Sequence, residues 1–395
     1  MEFQQPKVLI VGAGPAGLGV SLALQQAGVT EQLVVDAREI GAAFDAWPKG
    51  MALLSPSFHS NNFGLTDLNA IDPLTSPADF LRTQHPKGPA YANYLRAVAE
   101  KFQLPVSTGV TVHSVEKVDQ HFVVESSQGT MRPDYIVWAA GQFFHPKTEA
   151  FKGSEYALHS SKVKDWEALE GETFTIIGGY ESGVDAALNL VHAGKNVRLI
   201  SKGEPWNVDH PDPSRSLSPR TLDRLRDLLK DKEKAERLEL IPNTEVTAIV
   251  KGEGFWVLRD QDDFPLSCLT QPILANGFHS GLGLVENYFD HDEHDNPIFS
   301  EEADESTLTP GLFYSGPALV HRNALFCFIY KFRARFGVIA AEIATRLGKP
   351  DVEAKLAAHA KAGFVNRDLS CCTNCECAIE PEENDAPTPE TFNQA

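Results

Sequence analysis

Two glycine-rich turns are the residues of this sequence best placed to hold a cofactor. The first, Gly12–Gly17 (GAGPAG), follows a short apolar run and precedes an apolar-rich stretch typical of a helix. Gly12 permits a tight turn, Gly14 lets a pyrophosphate approach the backbone, and Gly17 allows close packing of helix on strand. The N-terminus of the helix then faces the anion. The first turn therefore predicts a site for the pyrophosphate of a dinucleotide.

An acidic residue completes this first site. The next predicted strand, Gln32–Val35, ends in Asp36, at the spacing of about 20 residues at which a carboxylate accepts hydrogen bonds from ribose hydroxyls. Strand, glycine turn, helix, strand and acid follow in the expected order, which makes the motif specific; a turn that merely joins strand to helix is the less favoured alternative. The candidate residues of this site are Gly12, Gly14, Pro15, Ala16, Gly17, Asp36, Ala37 and Arg38.

A second unit of the same kind begins in the middle of the chain. A predicted strand leads into Gly178–Gly183 (GGYESG), with a predicted helix and a further strand after it. That strand ends in Ser201 and Lys202 instead of an acid, so NADP(H) is favoured over NAD(H), because a lysine can pair with a 2′-phosphate that an acid would repel. An ordinary solvated lysine is nearly as good an explanation of Lys202. The candidates here are Gly178, Gly179, Ser182, Gly183, Ser201 and Lys202, with Arg215 or Arg220 as further phosphate partners.

Together the two units resemble the flavoproteins with two dinucleotide-binding domains, in which FAD occupies the first unit and NAD(P)H the second. Three later segments are similar to motifs of that family. Asp134–Gly141 resembles a strand of the FAD domain with the turn that follows it, and Pro272–Gly277 resembles its equivalent in the NAD(P)H domain. Thr309–Pro317 resembles the late FAD motif, with Pro317 in place of the usual acid. The resemblance adds Trp47, Val112, Ala140, Gly141, Asn276, Gly277, Gly316 and Pro317 to the candidate cofactor-binding residues.

The resemblance implies an α/β architecture. Two Rossmann-like three-layer domains are expected, with the NAD(P)H-binding domain (156–284) inserted into a split FAD-binding domain (1–155 and 285–350) and with small β-meanders, one of them at 106–124. The apolar run 324–343 is predicted to be a core helix whose N-terminal dipole faces the flavin. A flexible acidic tail, 363–395, is expected to follow.

The connector between the predicted domains resembles the fingerprint of class B flavin monooxygenases. Phe151 and Gly153 are followed by His159 and Trp166, although His159 lies two residues further along than in that family. Physically, such a connector sets the angle at which nicotinamide meets flavin, and His159 is either a link to the domain cores or a hinge histidine without catalytic importance.

Three residues are candidates for the catalytic step. Asn61 and Asn62 fall where flavin monooxygenases have an asparagine at the flavin edge, and a neutral amide can donate there without delivering a proton early. A loop asparagine in an Asx turn is the commoner explanation of either residue alone. His321 lies between Gly316 and the predicted helix, where it could touch flavin or substrate.

The cysteines bear on the alternative chemistry, disulfide reduction. Relatives similar to bacillithiol disulfide reductases carry a cysteine inside the first glycine turn, where this chain has Ala16, and no cysteine pair stands where the wider family has one. Four cysteines instead crowd into seven residues near the C-terminus. These thiols suit a soft metal ion, a redox-active disulfide, or no function at all. They are Cys371, Cys372, Cys375 and Cys377.

Composition excludes several classes of function. With 54 acidic and 35 basic side chains the net charge is −19, which disfavours nucleic-acid binding. Glycines break the first apolar stretch and charges break the last one, so neither reads as a leader or a membrane span, and a cytoplasmic protein is expected. A homodimer is one of the compatible oligomeric states.

The sequence therefore favours an FAD-dependent NAD(P)H oxidoreductase with monooxygenase-like chemistry on a small-molecule substrate. One alternative is a thioredoxin reductase-like or metal-ion reductase that uses the C-terminal cysteines. The other is a flavin redox sensor or metal-binding protein with little turnover.

Overall fold

The structure, a computed structural model, describes residues 5–59, 65–210 and 212–369. It divides into two compact units. The first comprises the described residues of 1–45, 55–144 and 280–379, and the second those of 46–54 and 145–279. The main segment of the second unit, 145–279, therefore begins and ends earlier in the chain than the predicted 156–284. The unit also includes the short segment 46–54.

The first unit opens with the elements that surround the first glycine turn. In chain order they are β1 Val8–Val11, α1 Pro15–Gln26, β2 Gln32–Asp36, α2 Ala42–Asp45, α3 Pro77–Leu81, α4 Gly88–Lys101, β3 Val106–Thr108, β4 Val112–Val118, β5 His121–Ser126, β6 Gly129–Met131 and β7 Tyr135–Trp138. The side chains of β1 are buried along its whole length, as expected for a strand covered on both faces. β4, β5 and β6 form an antiparallel meander over 112–131, so the meander predicted at 106–124 is present but displaced along the chain, and β3 joins the parallel sheet instead.

The second unit contains its own parallel sheet. Its elements are β8 Leu158–His159, β9 Thr173–Ile177, α5 Glu181–His192, β10 Asn196–Ile200, α6 Pro219–Lys230, α7 Lys232–Ala235, β11 Leu238–Ile241, β12 Val246–Lys251, β13 Trp256–Asp260, β14 Pro265–Cys268 and β15 Ile273–Leu274. The parallel strands run in the order β11-β10-β9-β15-β8, and β12, β13 and β14 form a separate antiparallel sheet. Apolar side chains of α5 and β9 form the core between helix and sheet.

The chain then returns to the first unit and completes its sheet. The elements are β16 Asp290–His291, β17 Pro297–Ile298, β18 Leu312–Tyr314, β19 Val320–His321, β20 Ala324–Leu325, α8 Ile329–Phe332, α9 Phe336–Arg346, α10 Val352–Lys355 and α11 Ala357–Lys361. β18 pairs in parallel with β7, giving the order β18-β7-β1-β2-β3. Two parallel sheets flanked by helices confirm the predicted α/β fold with two Rossmann-like cores.

The predicted helix over 324–343 is wrong in its first part. Arg322 adopts a left-handed conformation (φ 53°) and turns the chain, so that β20 pairs back on β19 as a hairpin. Helical structure starts only at Ile329, and a 3-10 turn at Arg333–Arg335 separates α8 from α9. No helix therefore starts at residue 324, and the predicted helix dipole facing the flavin from that position is not present.

The first residues of the predicted flexible tail are also packed into the first unit. Phe364 is fully buried, and its ring lies 6.5 Å from that of Phe336 in α9. The backbone N–H of Gly337 donates to the Phe364 carbonyl at 2.9 Å, and Leu369 is buried as well. Residues 363–369 are thus part of the fold, while the cysteines Cys371, Cys372, Cys375 and Cys377 lie outside the described residues. No helix in the described part of the chain is long and apolar enough to cross a membrane.

Candidate functional site

The first glycine turn is held by two close backbone approaches. Gly12 has φ 116°, and a Cβ there would lie 2.1 Å from the carbonyl oxygen of Ala139 at the end of β7. A Cβ on Gly17 would lie 1.9 Å from the carbonyl oxygen of Gly12. Real Cβ atoms cannot approach a carbonyl so closely, so both positions require glycine. These contacts join the start of α1 to the carboxyl ends of β1 and β7.

Gly14 differs from its two neighbours in the motif. It is the N-cap of α1 with φ −87°, an ordinary extended conformation, and a Cβ there would meet no atom within 4 Å. The space beside Gly14 is therefore open, and it lies at a helix N-terminus whose first N–H groups have no partner within the helix. Pro15 occupies the first helical position, and Ala16 follows it. A pyrophosphate fits this cradle by its charge and by the free space.

Asp36 ties the glycine turn to β2. Its Oδ2 accepts a hydrogen bond from the Ala13 N–H at 2.8 Å, and its Oδ1 accepts from the Arg38 N–H at 2.7 Å. Burial raises the pKa of this carboxyl above its usual value, although both bonds act in the opposite direction. A carboxylate has about four lone-pair positions, so capacity for ribose hydroxyls remains. Ala37 is exposed, and the guanidinium of Arg38 stacks 3.8 Å from the ring centre of Phe144.

The other predicted FAD residues of the first unit border the same edge of the sheet. Ala140 and Gly141 directly follow β7, and Ser315, just after β18, donates its N–H to the carbonyl oxygen of Trp138 in β7 at 3.0 Å. Gly316 has φ 151°, and Pro317 after it is half-buried. In open α/β sheets the ligand crevice lies outside the carboxyl ends of the strands, which is where these segments meet.

Two predicted FAD residues have a different setting. Val112 starts β4, near Val110, whose N–H donates to the Asp36 carbonyl at 2.8 Å. Trp47 belongs to the second unit, because residues 46–54 cluster there and not with the first glycine turn. The assignment of Trp47 to the FAD site stays a prediction.

His321 belongs to a buried charged network that sequence reasoning missed. Its Nε2 lies 2.6 Å from Oδ1 of Asp304, and Nε and Nη2 of Arg335 donate to the same carboxylate at 2.8–3.1 Å. All three side chains are at most 2% exposed. The sequence pattern around Asp304 does not predict this network, because Asp304, His321 and Arg335 come from three separate segments of the chain. The catalytic role of His321 stays a prediction, and Asn61 and Asn62 lie outside the described residues.

The second glycine turn repeats the steric pattern of the first. Gly178 has φ 108°, and a Cβ there would lie 2.3 Å from the carbonyl oxygen of Ala275, at the end of β15. A Cβ on Gly183 would lie 1.8 Å from the carbonyl oxygen of Gly178. Tyr180 is the N-cap of α5 with φ −88°, matching Gly14 in the first turn. The two turns are thus built alike, and Ser182 occupies the position of Ala16.

Side chains at the end of β10 lie next to this second turn. A Cβ on Gly179 would be 2.4 Å from the Cβ of Ser201 and 3.1 Å from the ring of Trp206. Lys202 Nζ forms an ion pair with Glu245 Oε1 at 2.9 Å. The Oδ1 atom of Asn276 is buried and has no hydrogen-bond partner among the described residues, which suits an acceptor waiting for a ligand N–H or O–H.

Glu181, inside the second turn, is another residue whose role the sequence did not reveal. Its carboxyl accepts hydrogen bonds from the N–H of Ser218 and, at 2.5 Å, from the hydroxyl of Thr221. Burial raises its pKa. One turn further along α5, Asp185 pairs with Arg224 at 2.5 Å. These contacts fix the start of α6 against α5, beside the glycine turn.

His159 links the connector to the second unit. Its Nε2 donates to the carbonyl of Gly277 at 3.0 Å, and its Nδ1 accepts from the Ser161 N–H at 3.2 Å. Burial lowers its pKa to about 4, so the ring is neutral at pH 7. Trp166 of the same connector is buried. The histidine therefore holds the Gly277 loop in place, one of the two roles predicted for it.

The described residues contain no cluster of histidine, cysteine or acidic side chains that could hold a metal ion. Of the cysteines in this part of the chain, Cys268 is buried and Cys327 is exposed, and neither forms a disulfide. The sulfur of Cys268 donates to Thr175 at 3.3 Å. The predicted metal or redox site on the C-terminal cysteines lies outside the described residues.

Comparison with known proteins decides the family. The model for the pyridine nucleotide-disulphide oxidoreductases matches residues 9–316, which include both glycine turns and end at Gly316. The chain belongs to this family. A relative at sequence level is bacilliredoxin reductase Bdr of Bacillus subtilis, 26% identical over 349 residues, which cover 87% of this chain and 98% of the relative.

Two solved structures have the same fold as the chain described here. Bacillithiol disulfide reductase Bdr from Staphylococcus aureus matches with a TM-score of 0.71 at 20% identity, over 87% of this chain and 99% of that one. A flavin monooxygenase variant from Stenotrophomonas maltophilia matches with a TM-score of 0.66 at 16% identity, over 87% and 99%. The resemblance to flavoproteins with two dinucleotide-binding domains is confirmed, and with it the prediction of an FAD- and NAD(P)H-dependent oxidoreductase.

Proposed function

We propose that this oxidoreductase takes hydride from NADPH bound at the second glycine turn to FAD bound at the first, and then passes the electrons to O₂ in a monooxygenase-like reaction on a small-molecule substrate. The observation that carries the proposal is the pair of glycine turns with the same close-packed geometry, each at the carboxyl edge of its own parallel sheet. FAD, when bound, supplies the site that accepts hydride and later reacts with the acceptor.

The chain's own residues have separate tasks in this proposal. The N-terminus of α1 and the open space at Gly14 hold the pyrophosphate of FAD, and Asp36 holds the turn and accepts from ribose. In the second unit Lys202 attracts the 2′-phosphate of NADPH. His159 keeps the Gly277 loop in position through a hydrogen bond that does not require a charged ring. The first unit is then the FAD domain and the second the NADPH domain.

Oxygen is favoured as acceptor by the residue types at the first turn. A disulfide reductase needs a thiol next to the flavin, and the turn carries Ala16. Cys268, at the end of β14, is buried, and its sulfur donates to the hydroxyl of Thr175 in β9.

The second candidate function is reduction of a disulfide or a metal ion through the C-terminal cysteines. It is favoured by the likeness to bacilliredoxin reductase over nearly the whole of that protein. It is also favoured by the way the chain leads to these cysteines: Arg335 donates to the Asn366 carbonyl at 2.6 Å, which ties the start of the tail to the network of Asp304 and His321. Two electrons and two protons would convert a tail disulfide to two thiols, which would reduce the external acceptor in turn.

Consumption of NADPH with defined acceptors separates these functions. Monooxygenation requires oxygen and a substrate and yields an oxygenated product, whereas the tail route continues without oxygen when a disulfide or a metal ion is supplied. NADPH consumption that stays slow with every acceptor would support a flavin redox sensor and overturn both proposals. Cytoplasmic location is part of the proposal, and fractionation of cells that express the protein tests it.

A further inference from the structure

The residues that follow β10 form a corner beside the second glycine turn. The N–H of Ser201 donates to the carbonyl of Ile241 in β11, and the N–H of Thr244 donates back to the Ser201 carbonyl at 2.8 Å. These two hydrogen bonds hold the loop after β11 against the end of β10. Because a Cβ on Gly179 would touch Ser201, this corner directly borders the turn that is proposed to hold the pyrophosphate.

Three charged side chains of this corner are already engaged. Lys202 Nζ lies 2.9 Å from Glu245 Oε1, and the two side chains are 52% and 50% exposed, so a ligand can reach both. Glu204 is committed elsewhere, because its carboxylate accepts from the side-chain amides of Asn207 at 2.6 Å and Asn243 at 3.0 Å. The backbone of Glu245 is held by its N–H, which donates to the Gln261 side chain at 2.8 Å. The Lys202 charge is thus neutralised by Glu245.

We propose that Glu245 is a specificity-determining residue that limits the preference for NADPH. A 2′-phosphate that approaches Lys202 must displace the Glu245 carboxylate and remain close to it, and like charges at such distances repel. The 2′-hydroxyl of NADH meets no such penalty and can donate to the carboxylate. The preference of the protein for NADPH is therefore small, and removing the charge of Glu245 strengthens it.

This inference rests on the proposed binding of NAD(P)H at the second turn, and the experiment keeps the two apart. Dissociation constants of NADPH, NADH, 2′,5′-ADP and AMP are measured by calorimetry on the FAD-loaded full-length protein and on Glu245→Gln. The substitution should tighten NADPH and 2′,5′-ADP by about 3- to 10-fold and leave NADH and AMP unchanged or slightly weaker. The gain should shrink at high salt, because both charges are exposed.

Glu239→Gln is the matched control. Glu239 of β11 pairs with Arg198 of β10 at 3.3 Å, on the two strands that lead into the corner. The control removes the same charge from the same unit and should change each constant by less than about twofold. In Lys202→Met, addition of Glu245→Gln should bring a smaller gain for NADPH than in the wild type, because only the repulsion by the carboxylate is removed and no lysine is freed.

The possible outcomes are distinct. Equal effects of Glu245→Gln on NADPH and NADH, or no effect on either, overturn the role of Glu245 while nucleotide binding stands. A gain as large in Glu239→Gln shows that only the overall charge matters and also overturns it. Failure of the wild-type protein to bind any of the four nucleotides overturns the proposed function.

Discussion

Gly14→Val should remove FAD from the protein without unfolding it. The φ of −87° at Gly14 suits any residue, and a Cβ there meets no atom within 4 Å. The second turn provides a precedent, because Tyr180 takes the equivalent position with φ −88°. Valine is a poorer N-cap than glycine, which destabilises the start of α1, but it also restricts the unfolded chain, which stabilises the folded state. These two effects nearly cancel, so the free energy of unfolding of the apoprotein should change by less than about 1 kcal/mol.

The cost to the cofactor is much larger. The valine side chain fills the space at the N-terminus of α1, and loss of two charge-assisted hydrogen bonds to the pyrophosphate weakens binding by about 3 to 6 kcal/mol. This corresponds to roughly a 10²- to 10⁴-fold increase in Kd. The purified variant should be colourless, with a far-ultraviolet circular dichroism spectrum like that of wild-type apoprotein.

Gly12→Ala is the contrasting variant. Its Cβ would lie 2.1 Å from the Ala139 carbonyl oxygen at a φ of 116°, and strain and overlap together should cost about 2 to 6 kcal/mol of stability. Loss of FAD in this variant should therefore come with loss of fold. A yellow, fully loaded Gly14→Val protein would refute the assignment of the first turn to FAD, and an unfolded one would refute the geometry at Gly14.

Three further predictions concern the cofactor preference, the tail and pH. Lys202→Glu should raise the KM for NADPH by about 10-fold or more and that for NADH much less, because a carboxylate repels the 2′-phosphate; equal increases would exclude Lys202 as discriminator. Removal of residues 370–395, which spares the buried Leu369, should leave FAD content and NADPH-driven flavin reduction intact. If the thiols bind metal, the truncation should remove about one equivalent of bound soft metal, and if they carry electrons, it should abolish reduction of disulfide or metal acceptors. Loss of FAD would contradict the described boundary of the fold. The folded-state pKa of His159 is lowered from 6.5 to about 4. The contribution of its neutral ring to the free energy of unfolding is therefore complete above pH 6.5, and about 3 kcal/mol of it is lost as the pH falls to 4. Urea titrations of wild type and His159→Gln at several pH values test this, and parallel pH profiles of the two proteins would contradict it.

Local sequence was enough to predict the glycine turns and the strands that carry them. Gly17 and Gly183 are needed for a contact inside one strand–turn–helix unit, and the regular spacing of that unit made all four glycines recognisable. Gly12 and Gly178 additionally pack against strands that neighbour their own strand in the sheet but lie far along the chain. The further strand predicted after the second glycine turn is likewise observed, at Asn196–Ile200, because a short apolar run between two turns leaves few alternatives.

Contacts between distant segments were beyond the reach of the sequence pattern. The apolar run 324–343 is predicted to be one helix, yet its first residues pair with β19 as a hairpin. Arg335 pairs with Asp304, which lies 31 residues earlier in the chain. Glu181 is buried because Ser218 and Thr221, far along the chain, satisfy its carboxyl. Such polar networks depend on how segments meet and not on local propensity.

The most direct test of the central claim is anaerobic reduction of the FAD-loaded protein by NADPH, followed in the visible absorbance of the flavin. The claim predicts that NADPH bleaches the flavin in stoichiometric amount, and that admission of O₂ restores the colour with uptake of oxygen. Truncation at residue 369 should leave both steps unchanged. A flavin that neither NADPH nor NADH reduces would contradict hydride transfer between the two sites, and a reduced flavin that oxygen leaves colourless while a disulfide restores it would contradict oxygen as the acceptor.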